Sequence, residues 1–173
     1  RLDTLTGQVL RLTRLREPRA LAAAPLDLAA LVGETVADLA YEDEAAGKGV
    51  AWQAPHAPVR VHGAAAELAS MLENVLRNAL RFTPRGGRVD VALALHPGRV
   101  GISVRDRGPG IAPEHLDQVF APFFQSDPAR SSGHQGAGLG LAIAQRVAQR
   151  HAGEIRLANR AGGGLRVEIT LPC

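Results

Sequence analysis

The chain has 173 residues, 46% hydrophobic and only 3% aromatic, enough for one domain plus an appendage with a core of Ala, Leu, Val and Ile. Its net charge of +3 rests on scattered arginines against one lysine, without basic runs or interleaved aromatics, so it lends little support to a nucleic-acid surface. The single cysteine, Cys173, excludes an internal disulfide framework, and no stretch approaches the ~20 apolar residues of a membrane span. A reducing, cytoplasmic setting is expected. The chain enters mid-pattern without Met or leader, and the expectation is a fragment of a longer protein.

In chain order, Leu2, Leu5, Val9 and Leu12 form a coiled-coil or bundle seam. So short a helix is marginal alone, so it needs a partner outside the chain, a second copy, or the main domain. Pro18 and Pro25 bound a linker. Pro25 to Asp27 reads as a short edge strand. Asp27 or a neighbour then caps a helix running to about Ala46, with Leu28, Leu31, Val32, Val36 and Leu39 inward and Gly47 and Gly49 ending it. Val50 to Gln53 and Val59 to Val61 are short strands. Gly63 to Phe82 is the central helix, with Leu68, Met71, Leu72, Val75, Leu76, Ala79 and Leu80 at three- and four-residue spacing. Arg88 to Leu95 and Val100 to Val104 alternate, and His96 to Arg99 joins them as an antiparallel hairpin. An irregular section runs from Asp106 to Gly138. Leu139 to His151 is a helix with Leu141, Ile143, Ala144 and Val147 inward, and strands Glu154–Leu157 and Leu165–Leu171 close the chain through a Gly-rich turn. The expected fold is α+β, a two-layer sandwich with a mixed sheet of five or more strands and about three helices on one face.

Four constellations carry candidate chemistry. On the central helix, Asn74, Asn78 and Arg81 share one stripe, which is either a solvated polar face or a surface offering amide oxygen to a hydrated metal and positive charge to phosphate. Asp106-Arg107-Gly108-Pro109-Gly110-Ile111 follows a strand. It reads as a turn, or as a carboxylate that accepts from an exocyclic amine such as that of adenine, with glycines bringing backbone near a flat ligand. Gly136-Ala137-Gly138-Leu139-Gly140 opens a helix. That context is a flexible hinge or a phosphate cradle at a helix N-terminus, and the spacing is not the dinucleotide fingerprint. Between the last two lie Phe120, Phe123 and Phe124, expected to anchor the base of a loop of ~25 residues, which is either a lid, mobile from about Gln125 to Gln135, or a disordered surface insertion.

In this order and spacing, the four motifs resemble the N, G1, F and G2 boxes of the ATP-binding catalytic domain of sensor histidine kinases. The likeness covers about residues 21 to 173 and implies the Bergerat-type fold shared with gyrase and mismatch-repair ATPases. Residues 1 to 20 would be the end of the family's dimerisation and phosphoacceptor hairpin, plus linker. The resemblance further implies ATP and Mg²⁺ as cofactors. By that likeness Asn78 gives an oxygen to the metal, Asn74 lies near phosphate and metal-bound water, and both are the catalytic candidates. Arg81 faces phosphate, Phe82 lies beside the nucleotide, and Asp106 receives the adenine amine. Gly108, Gly110 and Ile111 shape the adenine pocket, Phe120 stands at the lid's base, and Gly136, Gly138, Leu139 and Gly140 form the lid's hinge and phosphate contact.

The implied activity is transfer of the ATP γ-phosphate to a histidine of the dimerisation domain. Implied partners are that domain in a homodimer and a response regulator, with no nucleic acid. The implied setting is the cytoplasmic side of a bacterial inner-membrane parent. The rivals are a serine kinase of the anti-sigma-factor type, a nucleotide-sensing or protein-docking module without transfer and, third, a nucleic-acid binder. The sequence departs from the family in three respects. None of His56, His62, His96, His115, His134 and His151 has the phosphoacceptor context, the hairpin helix that carries it is absent, and Gln125 stands where many members carry Arg, with Arg130 as a substitute. Glu73, about 100° around the helix from Asn74, reads as a surface carboxylate and not as the water-activating base of the ATPase relatives.

Overall fold

The computed structural model describes residues 2–16, 21–43, 47–125 and 137–173. Helix α1 spans Leu2–Arg16. Strand β1, Ala24–Asp27, pairs antiparallel with β3, Arg60–Gly63, in a two-stranded ribbon of its own. Helix α2, Leu28–Asp43, begins where Asp27 Oδ1 accepts the Ala29 and Ala30 N–H groups at 3.0 and 3.4 Å. The same oxygen takes Val59 N–H at 3.1 Å, so one carboxylate caps the helix and pins the approach to β3. The expected end of α2 at Ala46 lies outside the described residues.

The main sheet has five strands in the order β2-β4-β5-β7-β6. These are β2 Gly49–Gln53, β4 Arg88–His96, β5 Arg99–Arg105, β6 Glu154–Asn159 and β7 Leu165–Pro172. Only the β2–β4 pair is parallel, so the sheet is mixed as expected. Alternation sets its inner face: Val89 and Val91, then Val100, Ile102 and Val104, then Leu165, Val167, Ile169 and Leu171 are all buried.

Helix α3, Ala65–Phe82, and helix α4, Gly140–Arg150, cover that face together with α2. The seven apolar positions named on α3 are all buried. α3 and α4 are tied at one end, where Arg150 reaches Glu67 through two bonds of 3.1 and 3.2 Å. Beside them His151 accepts Ala64 N–H on Nε2 at 3.0 Å, while its Nδ1 lies 2.8 Å from the Val147 carbonyl. That pattern assigns the proton to Nδ1 and satisfies the backbone N–H of Ala64, the N-cap of α3. At the other end the chain's one lysine, Lys48, donates to the Leu80 carbonyl at 2.7 Å, a cation on the carbonyl end of α3.

α4 corrects one expectation. Leu141 is half-buried, whereas Ala142 and Ala148 join Ile143, Ala144 and Val147 inside. α4 packs on α3, on the sheet and on α1, so its buried arc is wider than one stripe. The last turn of α1 rests on it: Arg146 Nε donates to the Leu15 carbonyl at 3.1 Å and Leu15 is buried, while Val9 and Leu10 are exposed.

Leu76 is fully buried at the centre of α3. Leu76→Ala is expected to lower the unfolding free energy by about 2–5 kcal/mol, measured by chemical denaturation. A loss below about 1 kcal/mol, the level of an average substitution, would contradict the central place of α3.

Candidate functional site

Asp106 is the anchor. It follows β5 and is 3% exposed. Its Oδ1 accepts two backbone N–H groups, from Gly108 at 2.8 Å and from Leu165 at 3.0 Å, and its own N–H donates to the Leu165 carbonyl at 3.0 Å. Oδ2 receives no bond among the described residues and is not sealed from solvent. The carboxylate is therefore fixed by one oxygen and offers the other. Burial pushes its pKa above the usual carboxylate value, against the opposing pull of the Gly108 and Leu165 bonds and of the Arg160 charge.

Three strands of the chain meet around Asp106. The end of α3 comes closest through Phe82, whose carbonyl would lie 2.9 Å from a Cβ placed on Gly108. Phe82 itself is 44% exposed, with the Arg81 guanidinium carbon 5.3 Å from its ring centre. The second wall is the loop of Gly108, Gly110 and Ile111. The third is the β6–β7 turn, where Gly164 has φ +92 and a Cβ there would fall on the Asp106 carbonyl. Only glycine admits both that conformation and that approach.

One face of α3 leads from this pocket to the start of α4. Asn78 is half-buried, and no bond ties its amide among the described residues. One turn earlier, the Asn74 amide nitrogen donates to the Ser70 carbonyl at 2.7 Å, which turns Oδ1 toward Gly140, where a Cβ would stand 3.1 Å away. Gly140 is the first residue of α4, whose cap Leu139 supplies no side-chain bond, so no cap side chain occupies the first N–H groups of the helix. Glu73 pairs instead with Arg77 at 3.0 Å on the exposed face, as its 100° offset from Asn74 implies.

The neck of the following loop is closed by Phe123 N–H donating to the Gly138 carbonyl at 2.9 Å. Gly138 has φ +69, and a Cβ on it would lie 2.7 Å from the Phe124 carbonyl. The anchoring expected of three phenylalanines is only partly met. Phe120 and Phe124 are half-buried, the latter against His115, but Phe123, with φ 67, is 61% exposed because the backbone reverses there. Arg130, Gly136 and the lid expected from about Gln125 to Gln135 lie outside the described residues, apart from Gln125 itself, which is exposed.

The structure thus brings Asn74, Asn78, Arg81, Phe82, Asp106, Gly108, Gly110, Ile111, Gly138 and Gly140 onto one side of α3 and the adjoining loops, whereas Leu139, expected with them, buries its side chain in the core at 1% exposure. Phe120 instead borders a separate cavity of about 380 Å³ between α1 and α4, with Leu12, Ala142 and Arg146. Sequence reading missed Asn159, Arg160 and Gly164. Asn159 brackets Ile111, accepting its N–H at 2.9 Å and donating to its carbonyl at 2.7 Å, and Arg160 donates to the Asp106 carbonyl. The available signal was polar Asn-Arg one residue ahead of three glycines, where a plain turn needs neither side chain.

A buried carboxylate with one open oxygen, a flanking aromatic, amides on a helix and a second helix N-terminus are groups chemically suited to an adenine nucleotide. Comparison with known proteins agrees. Residues 63–173 match the family described as Histidine kinase-, DNA gyrase B-, and HSP90-like ATPase. The chain is 36% identical over 172 residues to the sensor histidine kinase CpxA of Escherichia coli (strain K12), covering 99% of this chain and 37% of CpxA. Among solved structures it is similar to full-length ShkA in complex with AMPPNP (TM-score 0.85, 30% identity, 99% of this chain and 35% of that one). It is also similar to the mycobacterial sensor histidine kinase MprB (TM-score 0.73, 31% identity, 87% of this chain and 97% of that one). The chain belongs to this ATPase family, as a catalytic ATP-binding domain of the sensor-histidine-kinase type. It spans little more than a third of CpxA's length.

Proposed function

We propose that the chain binds Mg-ATP between α3, the Asp106 loop and the start of α4, and presents the γ-phosphate to a histidine of a dimerisation and phosphoacceptor domain. The observation that supports this best is the divided carboxylate of Asp106, with Oδ1 spent on the backbone and Oδ2 available to an exocyclic amine. Phe82 covers the base at the edge of the pocket, and Arg81 beside it supplies charge toward phosphate. The α4 N-terminus, with Gly138 and Gly140, receives the phosphate chain.

The residues fit a magnesium ion that keeps most of its water. Among the described residues no cluster of three or more His, Cys, Asp or Glu exists, whereas Asn78 offers one untied amide oxygen, the kind of hard ligand that Mg²⁺ takes in company with phosphates. When bound, the ion would supply neutralisation of phosphate charge. Asn78 would hold it, and the Asn74 oxygen, turned to Gly140, would order the water and phosphate beside it. Phosphoryl transfer needs mainly such positioning and charge balance. The Glu73–Arg77 pair supports transfer over hydrolysis, because it leaves no carboxylate on the Asn74 face to activate water.

The same reading places residues 1–20 with a dimerisation hairpin, assigns a response regulator as the next acceptor and a homodimer as the working unit, and puts the parent in a bacterial inner membrane. Its test uses γ-labelled ATP. The chain alone should stay unlabelled, since no histidine here has the acceptor context, and label should appear on a separately supplied phosphoacceptor hairpin. Label on the chain itself would show an acceptor within it, and none on the hairpin despite nucleotide binding would leave a binding module without transfer.

A further inference from the structure

The β6–β7 turn forms the third wall around Asp106, and two adjacent residues where β6 runs into it grip both ends of the Asp106–Ile111 loop. Arg160 Nη1 donates to the Asp106 carbonyl, and Asn159 clamps Ile111 through its N–H and carbonyl at 2.9 and 2.7 Å. The turn is itself closed, with Arg160 N–H donating to the Gly164 carbonyl at 2.9 Å and Gly163 N–H to the Arg160 carbonyl at 3.1 Å. Arg160 therefore stands at a fixed place behind the residue whose open oxygen faces the ligand.

We propose that Arg160 is a positioning residue that sets base specificity: it holds Asp106 in place as an anion, so that the site takes a base presenting an amine and rejects one presenting a carbonyl oxygen. This rests on the nucleotide reading above. An ionised carboxylate only accepts hydrogen bonds, which suits the amine of adenine and repels the carbonyl of guanine, whereas a protonated one can also donate and tolerates guanine.

Burial works against the anion, and the bonds from Gly108 and Leu165 and the Arg160 charge work for it. The other charged groups near Asp106 are turned elsewhere. On β5, Arg105 donates to Ser103 Oγ at 3.2 Å. Arg107 faces Asp90 at 3.9 Å, and Asp90 on β4 also holds Arg88 at 2.8 Å. On β7, Arg166 faces Glu168 at 3.5 Å, and Arg81 at the end of α3 lies over Phe82. Removing the Arg160 charge raises the Asp106 pKa further. The anion, which is lost as pH falls through that pKa, is then lost at a higher pH than in the wild type.

The test is equilibrium binding of ATP and GTP to the 173-residue chain from acid to mildly alkaline pH, with melting curves for each variant. R160Q should lower ATP affinity on the order of tenfold near neutral pH, more at acid pH, and narrow the ATP-to-GTP ratio, while R160K should restore most of the pH profile. N159A, which leaves the charge in place, should weaken both nucleotides alike at every pH. An unchanged ratio and pH profile in R160Q would overturn the proposal, as would equal, pH-independent losses in R160Q and R160K, which would make Arg160 mere scaffolding of the turn. If R160Q does not fold, the wild-type chain carries the test: its ATP-to-GTP ratio must narrow as pH falls, and a constant ratio overturns the proposal. Wild-type protein that binds neither nucleotide overturns the nucleotide reading itself.

Discussion

Asn78→Ala is expected to cut phosphoryl transfer to a supplied acceptor by on the order of a hundredfold or more while leaving ATP affinity within a few-fold of wild type. Asn78 lies on the half-exposed face of α3, and its truncation uncovers no core, since the neighbouring Leu76, Ala79 and Leu80 point to the other side. What is lost is one oxygen that fixes the metal relative to the γ-phosphate. The ion could still ride on the phosphates, but a displacement of about 1 Å between reacting groups carries a penalty of that size. The adenine end, at Asp106, is untouched. Equal loss of binding and transfer would make Asn78 a general ligand contact, and full transfer would make it part of a solvated face. Label transfer with the separately expressed hairpin distinguishes these.

Asp106→Asn should weaken ATP binding by roughly ten- to hundredfold, corresponding to about 1.5–3 kcal/mol for a hydrogen bond to a charged group. The fold should not suffer. A raised carboxyl pKa means that folding favours the protonated form. That contribution is fully present below the usual carboxylate pKa and is lost as pH rises through the raised one, so at neutral pH the buried charge costs stability. Asn is neutral throughout, and its oxygen can accept the same Gly108 and Leu165 N–H groups. The variant should therefore melt no lower than wild type at neutral pH, with any advantage shrinking as the pH falls. Titration calorimetry and melting curves measured together separate the effects. Unchanged affinity would remove Asp106 from the base pocket, and a collapsed fold would make it a structural carboxylate.

The parts of this site legible in the sequence are those set by short-range periodicity. The buried positions of α3 follow from their spacing, and the inner faces of β4, β5 and β7 follow from alternation, because each element buries one face. Asn74 and Asn78 stood out as amides in mid-helix, where local propensity gives them no reason to be, whereas Asp106 alone read equally as a turn residue and was marked by its place in the order of motifs. What escaped reading depends on contacts far apart in sequence. Asn159 meets Ile111 across 48 positions and Arg160 meets Asp106 across 54, and a Gly-rich turn announces a reversal without saying what it touches. Alanine blurred α4, where Ala142 and Ala148 are buried in place of Leu141, because its small side chain is tolerated on any face. Phe123 departs from the expected anchoring for a backbone reason: its positive φ and its bond to Gly138 close the neck and turn the ring outward.

The most direct measurement is a backbone-amide NMR titration of the wild-type chain with a non-hydrolysable Mg-ATP analogue. If the account is right, the amides of Gly108, Gly110, Ile111, Leu165 and Gly140 shift together and saturate at one affinity. Shifts confined instead to the α1–α4 cavity around Leu12, Ala142 and Arg146, with the Asp106 loop silent, would contradict it.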